Sequence, residues 1–427
     1  MAAQQQYQQL VVLVRVLPEG EYFLQLQALE KVAKVWTMVK YIGLGFWLSH
    51  MRLPRTITEG YEMSELTSGQ RATRCLTGED IDRVPFGIGI GWHPWAETLR
   101  VWQEQSGDPD LDYGNAVGLD SDWALPRMNF GIFPVFETEI IEETDEYIVH
   151  RNEHGITVRD RKDRGSIPEY LDYPVKNSED WERLKAERLS IDVPGRFDMD
   201  WDAFRAEIEE SGAGVQLGHY PYGIFGTPRD LLGAEELLVA FYDKPEMIQD
   251  IMETLTSLWL ALYERATQEV KVDQIHIWED MSGRQGSLIS PSMVEKFMMP
   301  CYDRIATFAR EHDIPLISVD TDGDCSMLVP LMMKHGVNVF FPFEVQAGND
   351  ILEYREKYPE LGIIGGLDKR ALAGKRDDID RQVEKAAKMI EKGRYVPGFD
   401  HLIPPDATWE NYCYAAEEIK KVCYGMK

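Results

Sequence analysis

No C-x-x-C spacing occurs in this 427-residue chain. Its five cysteines, Cys75, Cys301, Cys325, Cys413 and Cys423, are scattered and odd in number. Neither a disulfide framework nor a zinc knuckle is encoded, and a reducing cytoplasm is the expected compartment. Positive charge is scarce: 45 Lys and Arg stand against 73 Asp and Glu, for a net charge of −28. That balance speaks against nucleic acid and anionic membranes as partners, and a polyanionic substrate would need a local basic pocket. No repeat of solenoid period and no low-complexity linker divides residues 63–427. Long apolar runs are also missing. The stretch Val32 to Met51, with Trp36, Phe46 and Trp47, barely reaches the ~20 residues a bilayer requires and contains Lys34 and Lys40. Glu19, Glu21 and Glu30 precede it and no small-residue cleavage pattern follows, so a signal peptide is not expected either.

What is present is ample apolar material, 44% of residues, enough for the core of one large α/β domain with an appendage. The first 62 residues differ from the rest: they start Gln-rich and carry six basic and five acidic residues, leaving the acidic excess to residues 63–427. Met63-Ser-Glu-Leu-Thr-Ser-Gly-Gln-Arg reads as a domain opening. Residues 1–62 are therefore expected to be an atypical N-terminal extension that need not belong to the native protein. An intact peptide from that region in native material would contradict this.

From Thr67 onward, short apolar runs alternate with longer amphipathic ones, the rhythm of βα units around a parallel sheet. The expected strands are Val84 to Ile90, Val215 to His219, Gln274 to Trp278, Pro315 to Val319, Val337 to Phe343, Leu361 to Gly365 and Tyr395 to Phe399, seven of a possible eight. Helices are expected over Pro291 to Glu311, capped by Ser290, and over Asp378 to Lys392, ended by Gly393. Glu139 to Glu143, Tyr147 to His150 and Ile156 to Arg159 break the rhythm and read as antiparallel strands in an insertion over about 130–163.

Strand ends carry the polar residues, as the mouth of an α/β barrel requires. In chain order they are Gly91-Trp92-His93-Pro94-Trp95, Gly218-His219-Tyr220-Pro221-Tyr222, Trp278-Glu279-Asp280, Asp320-Thr-Asp322-Gly-Asp324, Phe343-Glu344, Gly366-Leu-Asp368-Lys369-Arg370 and Phe399-Asp400-His401. Asp280, Asp322, Glu344 and His401 are the candidates for acid and base chemistry. Trp92, His93, His219, Tyr220, Glu279 and Lys369 are the candidates for substrate contact. Each also has a structural reading: the histidines as hydrogen-bonded walls, Glu279 and Asp324 as helix caps, Lys369 and Arg370 as a solvated turn. Asp320, Asp322, Glu344 and His401 offer hard oxygen donors and one imidazole, a set suited to zinc or another divalent metal. Without a metal, so many carboxylates must share protons or pair with Lys369, Arg370 and His401.

The order of motifs resembles the uroporphyrinogen decarboxylase superfamily. Thr73-Arg-Cys-Leu-Thr-Gly78 comes before Asp82-Arg-Val-Pro85, and Ser287-Leu-Ile-Ser-Pro291 before Met299-Pro-Cys-Tyr302. They are followed by the turn Gly365-Gly-Leu-Asp368, and by His401-Leu-Ile-Pro-Pro405 ahead of Trp409-Glu-Asn411. The resemblance spans about Ser68 to Val422 and implies a (β/α)8 TIM barrel. That superfamily holds both porphyrinogen decarboxylases and methyltransferases that work with corrinoid proteins, and its barrels often pair into homodimers.

Two departures divide those functions. The decarboxylases carry an arginine-rich segment after the first strand, whereas Ile88 to Glu97 has no Arg here and Arg100 is the only nearby candidate. An acidic pocket would repel a polycarboxylate, each close like-charge contact costing about 4 kcal/mol at 4 Å and an effective dielectric of 20. The thiol-methylating members bind zinc through His-x-Cys and a later Cys, positions taken here by Asp320, Asp322 and His401. The resulting expectation is a cytoplasmic, corrinoid-dependent methyltransferase that moves a methyl group from a small methoxylated or methylated donor to a corrinoid held by a partner protein. A cofactor-free decarboxylase of porphyrin biosynthesis is the alternative, and a non-catalytic metabolite-binding barrel the second.

Overall fold

The computed structural model describes residues 12–16, 22–26, 65–162 and 167–426. The chain divides between Met63 and Ser64 into two units, each described by itself. In the first, strands β1 (Val12–Val16) and β2 (Tyr22–Leu26) pair antiparallel. The rest of the expected extension lies outside the described residues. Among the described residues, no helix is long and apolar enough to cross a membrane.

The second unit opens with a helix over Ser68–Thr77, started by a capping box between Thr67 and Gln70 and ended by Gly78 in the left-handed conformation. An antiparallel sheet follows, β3 (Glu139–Glu143), β4 (Tyr147–Arg151), β5 (Thr157–Arg161) and β6 (Glu169–Asp172), in that order. The insertion thus runs past the expected boundary at 163. All four residues of β6 are exposed, so no alternation of apolar and polar side chains marks it in the sequence.

The central sheet is built from β7 (Gln216–Leu217) and β8 (Gln274–Trp278). After a two-residue hairpin pair, β9 (Ser282–Gly283) and β10 (Gly286–Ser287), it continues with β11 (Leu316–Asp320), β12 (Val339–Phe341), β13 (Gly362–Ile364) and β14 (Tyr395–Val396). Its order is β14-β13-β12-β11-β8-β7, with every neighbouring pair parallel. Parallel pairing demands crossovers, supplied by helices such as Pro245–Thr267 and Arg376–Lys392. The expected helix over Pro291–Glu311 is interrupted by a π-helical turn at Val294–Met298.

Both edges of this sheet meet further chain. Ala124 bridges Val215 beyond β7, Leu367 bridges Phe399, and Pro94 bridges Ile403, all in parallel sense. The Asp120 amide donates to the Phe86 carbonyl at 2.7 Å. The strand expected over Val84 to Ile90 is absent: Pro85 has no amide to give, and Gly87 and Gly89 adopt φ of 95° and 97°. A 3-10 turn at Ile90–Trp92 takes its place. Close approach of backbones explains Gly91, since a Cβ there would lie 2.0 Å from the Phe399 carbonyl oxygen.

Two apolar clusters hold these layers. Leu316, Val339, Ile364 and Val396 bury themselves with Ile88 and with Ala72, Cys75 and Leu76 of the Ser68–Thr77 helix. The larger cluster fills the space between the sheet and its outer helices. Rigid packing beneath leaves the carboxyl ends of the strands free to carry polar groups.

Candidate active site

Six of the expected strand-end groups, from five strands, lie within electrostatic reach of one another. Asp322 sits in the loop after β11, where Gly323 turns with φ 74° and leaves no room for a side chain, a Cβ there falling 2.4 Å from the Ser282 carbonyl oxygen. That turn presents the Gly323 amide to Glu344 Oε2 at 2.9 Å, so the loop after β12 is tied to the loop after β11. His401 Nε2 lies 3.5 Å from Asp322 Oδ2. Asp400 is buried; its carboxylate accepts the Val345 and Lys369 amides at 2.8 and 3.0 Å, with Lys369 Nζ 4.0 Å away. Asp280, at the end of β8, is paired with Arg229 at 2.7 Å.

The electrostatics follow from that crowding. Burial first, then the charges of Asp280 and Glu344, push the Asp322 carboxyl up to about 7, against the pull of Lys369. Burial and Lys369 hold the His401 imidazole down at about 4 despite Glu344 and Asp280, so near neutral pH it is uncharged. Burial also raises Asp400. A carboxyl that keeps its proton near pH 7 beside a neutral imidazole can donate a proton and take one back.

A second polar group flanks this one. His93 Nδ1 lies 2.7 Å from the Tyr113 hydroxyl and its Nε2 3.0 Å from Asp122 Oδ2. Asp122 also accepts the Trp123 amide at 2.8 Å. The segment reaches His401 through Trp95, whose ring is 40% exposed and stacks on the imidazole at 6.0 Å. Backbone bonds between His93, Trp95 and Ile403 fix that register. Asp122 escaped the reading of the sequence because no apolar run precedes Leu119-Asp-Ser-Asp122, and its neighbour Ala124 contributes only a single bridge to the sheet. Arg229 escaped for a similar reason, lying within the helix Gly226–Leu232 rather than at a strand end.

Other candidates are placed differently. Trp92 is fully buried, its indole N–H donating to the Pro397 carbonyl at 2.8 Å, with Phe86, Phe399 and Tyr412 around it. It is a core residue and not a pocket wall. Glu279 is likewise fully buried: its carboxylate accepts the amides of Ile224, Phe225 and Gly226 and the Tyr302 hydroxyl, anchoring the turn that starts the Gly226–Leu232 helix. Burial outweighs these donors and pushes it up to about 7. His219 packs edge-on against Phe130 and Tyr222, with Nδ1 2.5 Å from the Tyr220 carbonyl, and burial lowers its pKa. Tyr220 is 62% exposed and rests its ring edge on Trp278.

The metal expectation does not fit the donor set. Among the described residues, no group of three or more His, Cys, Asp or Glu side chains is placed to hold a metal ion. Burial and the neighbouring charges of Asp322 and Asp280 raise the Asp320 carboxyl well above its usual range.

Comparison with known proteins gives the family. The family model for uroporphyrinogen decarboxylase (URO-D) matches residues 147–422. A uroporphyrinogen decarboxylase from Syntrophotalea carbinolica is 22% identical over 261 residues, covering 59% of this chain and 72% of that protein. The methylcobamide:CoM methyltransferase MtbA of Methanosarcina acetivorans is 23% identical over 342 residues, covering 78% and 91%. A solved methyltransferase structure from Methanosarcina mazei superposes with a TM-score of 0.52 at 17% identity, over 84% of this chain and 99% of that one. Because the family model spans well over half of its length, this chain belongs to the uroporphyrinogen decarboxylase family.

Proposed function

We propose that this protein is an enzyme that demethylates a small methoxylated or methylated donor and passes the methyl group to a corrinoid carried by a partner protein. Residues 63–427 would form the catalytic domain, a closed (β/α)8 barrel with the antiparallel sheet inserted ahead of β7. One observation carries the reading: the Asp322 carboxyl is held up to about 7, 3.5 Å from a neutral His401, in a mouth where Lys369 and Arg229 are already paired with carboxylates. Lys369 stands against Asp400 and Arg229 against Asp280. Such a mouth suits a donor whose leaving oxygen or nitrogen needs a proton, and suits a polycarboxylate poorly.

The corrinoid would supply the nucleophile that accepts the methyl group. As the carbon–oxygen or carbon–nitrogen bond breaks, its electron pair stays on the heteroatom, which takes the Asp322 proton and leaves as the alcohol or amine. Asp322 then regains a proton from solvent. Glu344 and Asp280 keep its proton affinity high through their charge, and Trp95 and Tyr220 offer exposed aromatic surface for the donor. The relatedness to a methylcobamide methyltransferase over most of both chains supports this reading.

The relatives named as uroporphyrinogen decarboxylases favour a second reading, decarboxylation of a porphyrinogen. The two separate cleanly in one assay pair. Incubated with cob(I)alamin and a panel of methyl ethers and methylamines, the protein is expected to convert the cobalamin spectrum to that of the methylated form. With uroporphyrinogen and no corrinoid it is expected to release no carbon dioxide. The reverse pattern would establish decarboxylation, and silence in both would favour a barrel that binds without turnover.

A further inference from the structure

The helix Gly226–Leu232 is tied to the end of β8 twice, and the two ties differ in kind. Glu279 grips the amides at the start of the helix from below, wholly inside the core. Arg229, one turn further on, reaches over the next residue, Asp280, in the open mouth. One guanidinium nitrogen donates to the Asp280 carbonyl at 2.6 Å and the other meets its carboxylate at 2.7 Å. The guanidinium also lies over the Trp278 ring, 5.0 Å from its centre. Asp280 needs such a grip, because its backbone is left-handed, with φ 39°, a conformation that costs a side-chain-bearing residue stability.

Asp280 is the hub of the acidic mouth. Its charge acts on Asp322 and Asp320 from the end of β11, on Asp230 from the Gly226–Leu232 helix, on Tyr220 from the loop after β7 and on His401 from beyond β14. A carboxylate with that many partners has to be held in one place for its field to fall on one of them. Lysine could match the charge of Arg229 but not the fork that takes carbonyl and carboxylate together.

We infer that Arg229 is a positioning residue, which clamps Asp280 through both backbone and side chain so that its carboxylate stands beside Asp322. The inference rests on the methyl-transfer reading for its kinetic part only. Asp280 acts on Asp322 through its charge, and Arg229 acts through Asp280.

The test compares wild type, Arg229→Met and Arg229→Lys in two measurements. In the first, crystal structures of the three proteins without any donor are superposed on the strands β8 and β11. The Asp280 carboxylate is expected to leave its wild-type position by about 1 Å or more in Arg229→Met and to return only in part in Arg229→Lys. In the second, methylation of cob(I)alamin is followed: Arg229→Met is expected to lose about tenfold in kcat with KM within about twofold, and Arg229→Lys to recover only part of the loss. An Asp280 carboxylate that superposes on wild type in Arg229→Met overturns the inference, as does a displaced carboxylate with unchanged kcat. Should Arg229→Met fail to fold, Arg229→Lys decides, since wild-type kcat in that variant removes any need for the fork. If wild type itself methylates no cobalamin, the proposed reaction falls, and the structures alone decide whether Arg229 governs Asp280.

Discussion

Replacing Asp322 by Asn is expected to abolish most turnover and, at pH 8, to make the protein more stable. The loss should be at least about a hundredfold in kcat, the usual contribution of a placed general acid. Wild-type activity should fall on the basic side of a midpoint near 7, where the Asp322 carboxyl gives up its proton, and the variant should show no such limb. The gain in stability has a definite sign. The carboxyl is raised from 3.8 to about 7 on folding, so between those values the native state binds the extra proton and stability falls as pH rises. Asn escapes that penalty. Because the Asp322 side chain is 38% exposed, solvent screening reduces the expected gain to about 1–2 kcal/mol at pH 8. The gain should vanish near pH 4. Urea midpoints of both proteins at the two pH values check it, and a variant that is no more stable at pH 8, or one that keeps wild-type turnover, contradicts the role assigned to this carboxyl.

Truncation of Glu279 should do the opposite, costing stability before it costs chemistry. Glu279→Ala leaves the amides of Ile224, Phe225 and Gly226 and the Tyr302 hydroxyl without their acceptor inside the core. An expected loss of about 3–5 kcal/mol follows, read from the urea midpoint at constant slope. Glu279→Gln keeps one oxygen for those donors but turns an NH2 toward others, and should fall between the two. Since the turn at 223–226 carries the helix that holds Arg229, a fraction of the Asp280 clamp should be lost with it. Gly223 shows how closely the turn fits: a Cβ there would lie 1.6 Å from the Trp278 carbonyl oxygen. A Glu279→Ala protein within about 1 kcal/mol of wild type would mean that water replaces the carboxylate, and the anchor role would be wrong.

These two carboxylates stand at neighbouring strand ends, and each follows an apolar strand. The sequence offers Asp322 as a candidate acid and Glu279 as a candidate substrate contact or helix cap. Glu279 in fact lies in the core, where it accepts the amides of Phe225 and Gly226, whereas the Asp322 side chain is 38% exposed beside His401. Spacing along a strand says which residues alternate; it does not say where the next turn aims them.

Local pattern was legible wherever one segment sufficed to make its own signal. The apolar runs that became β8, β11, β12 and β13, the Ser290 cap and the acidic pair Asp320 and Asp322 could all be read directly, since strand burial and capping depend on residues a few places apart. Folding alone decided the rest. The pairing of His93 with Asp122, the reach of Arg229 to Asp280, the burial of Trp92 and the pull of Asp280 and Glu344 on the Asp322 proton each join groups from different βα units. Proton affinity and burial are properties of surroundings, and those surroundings come into being only when the parallel strands line up side by side.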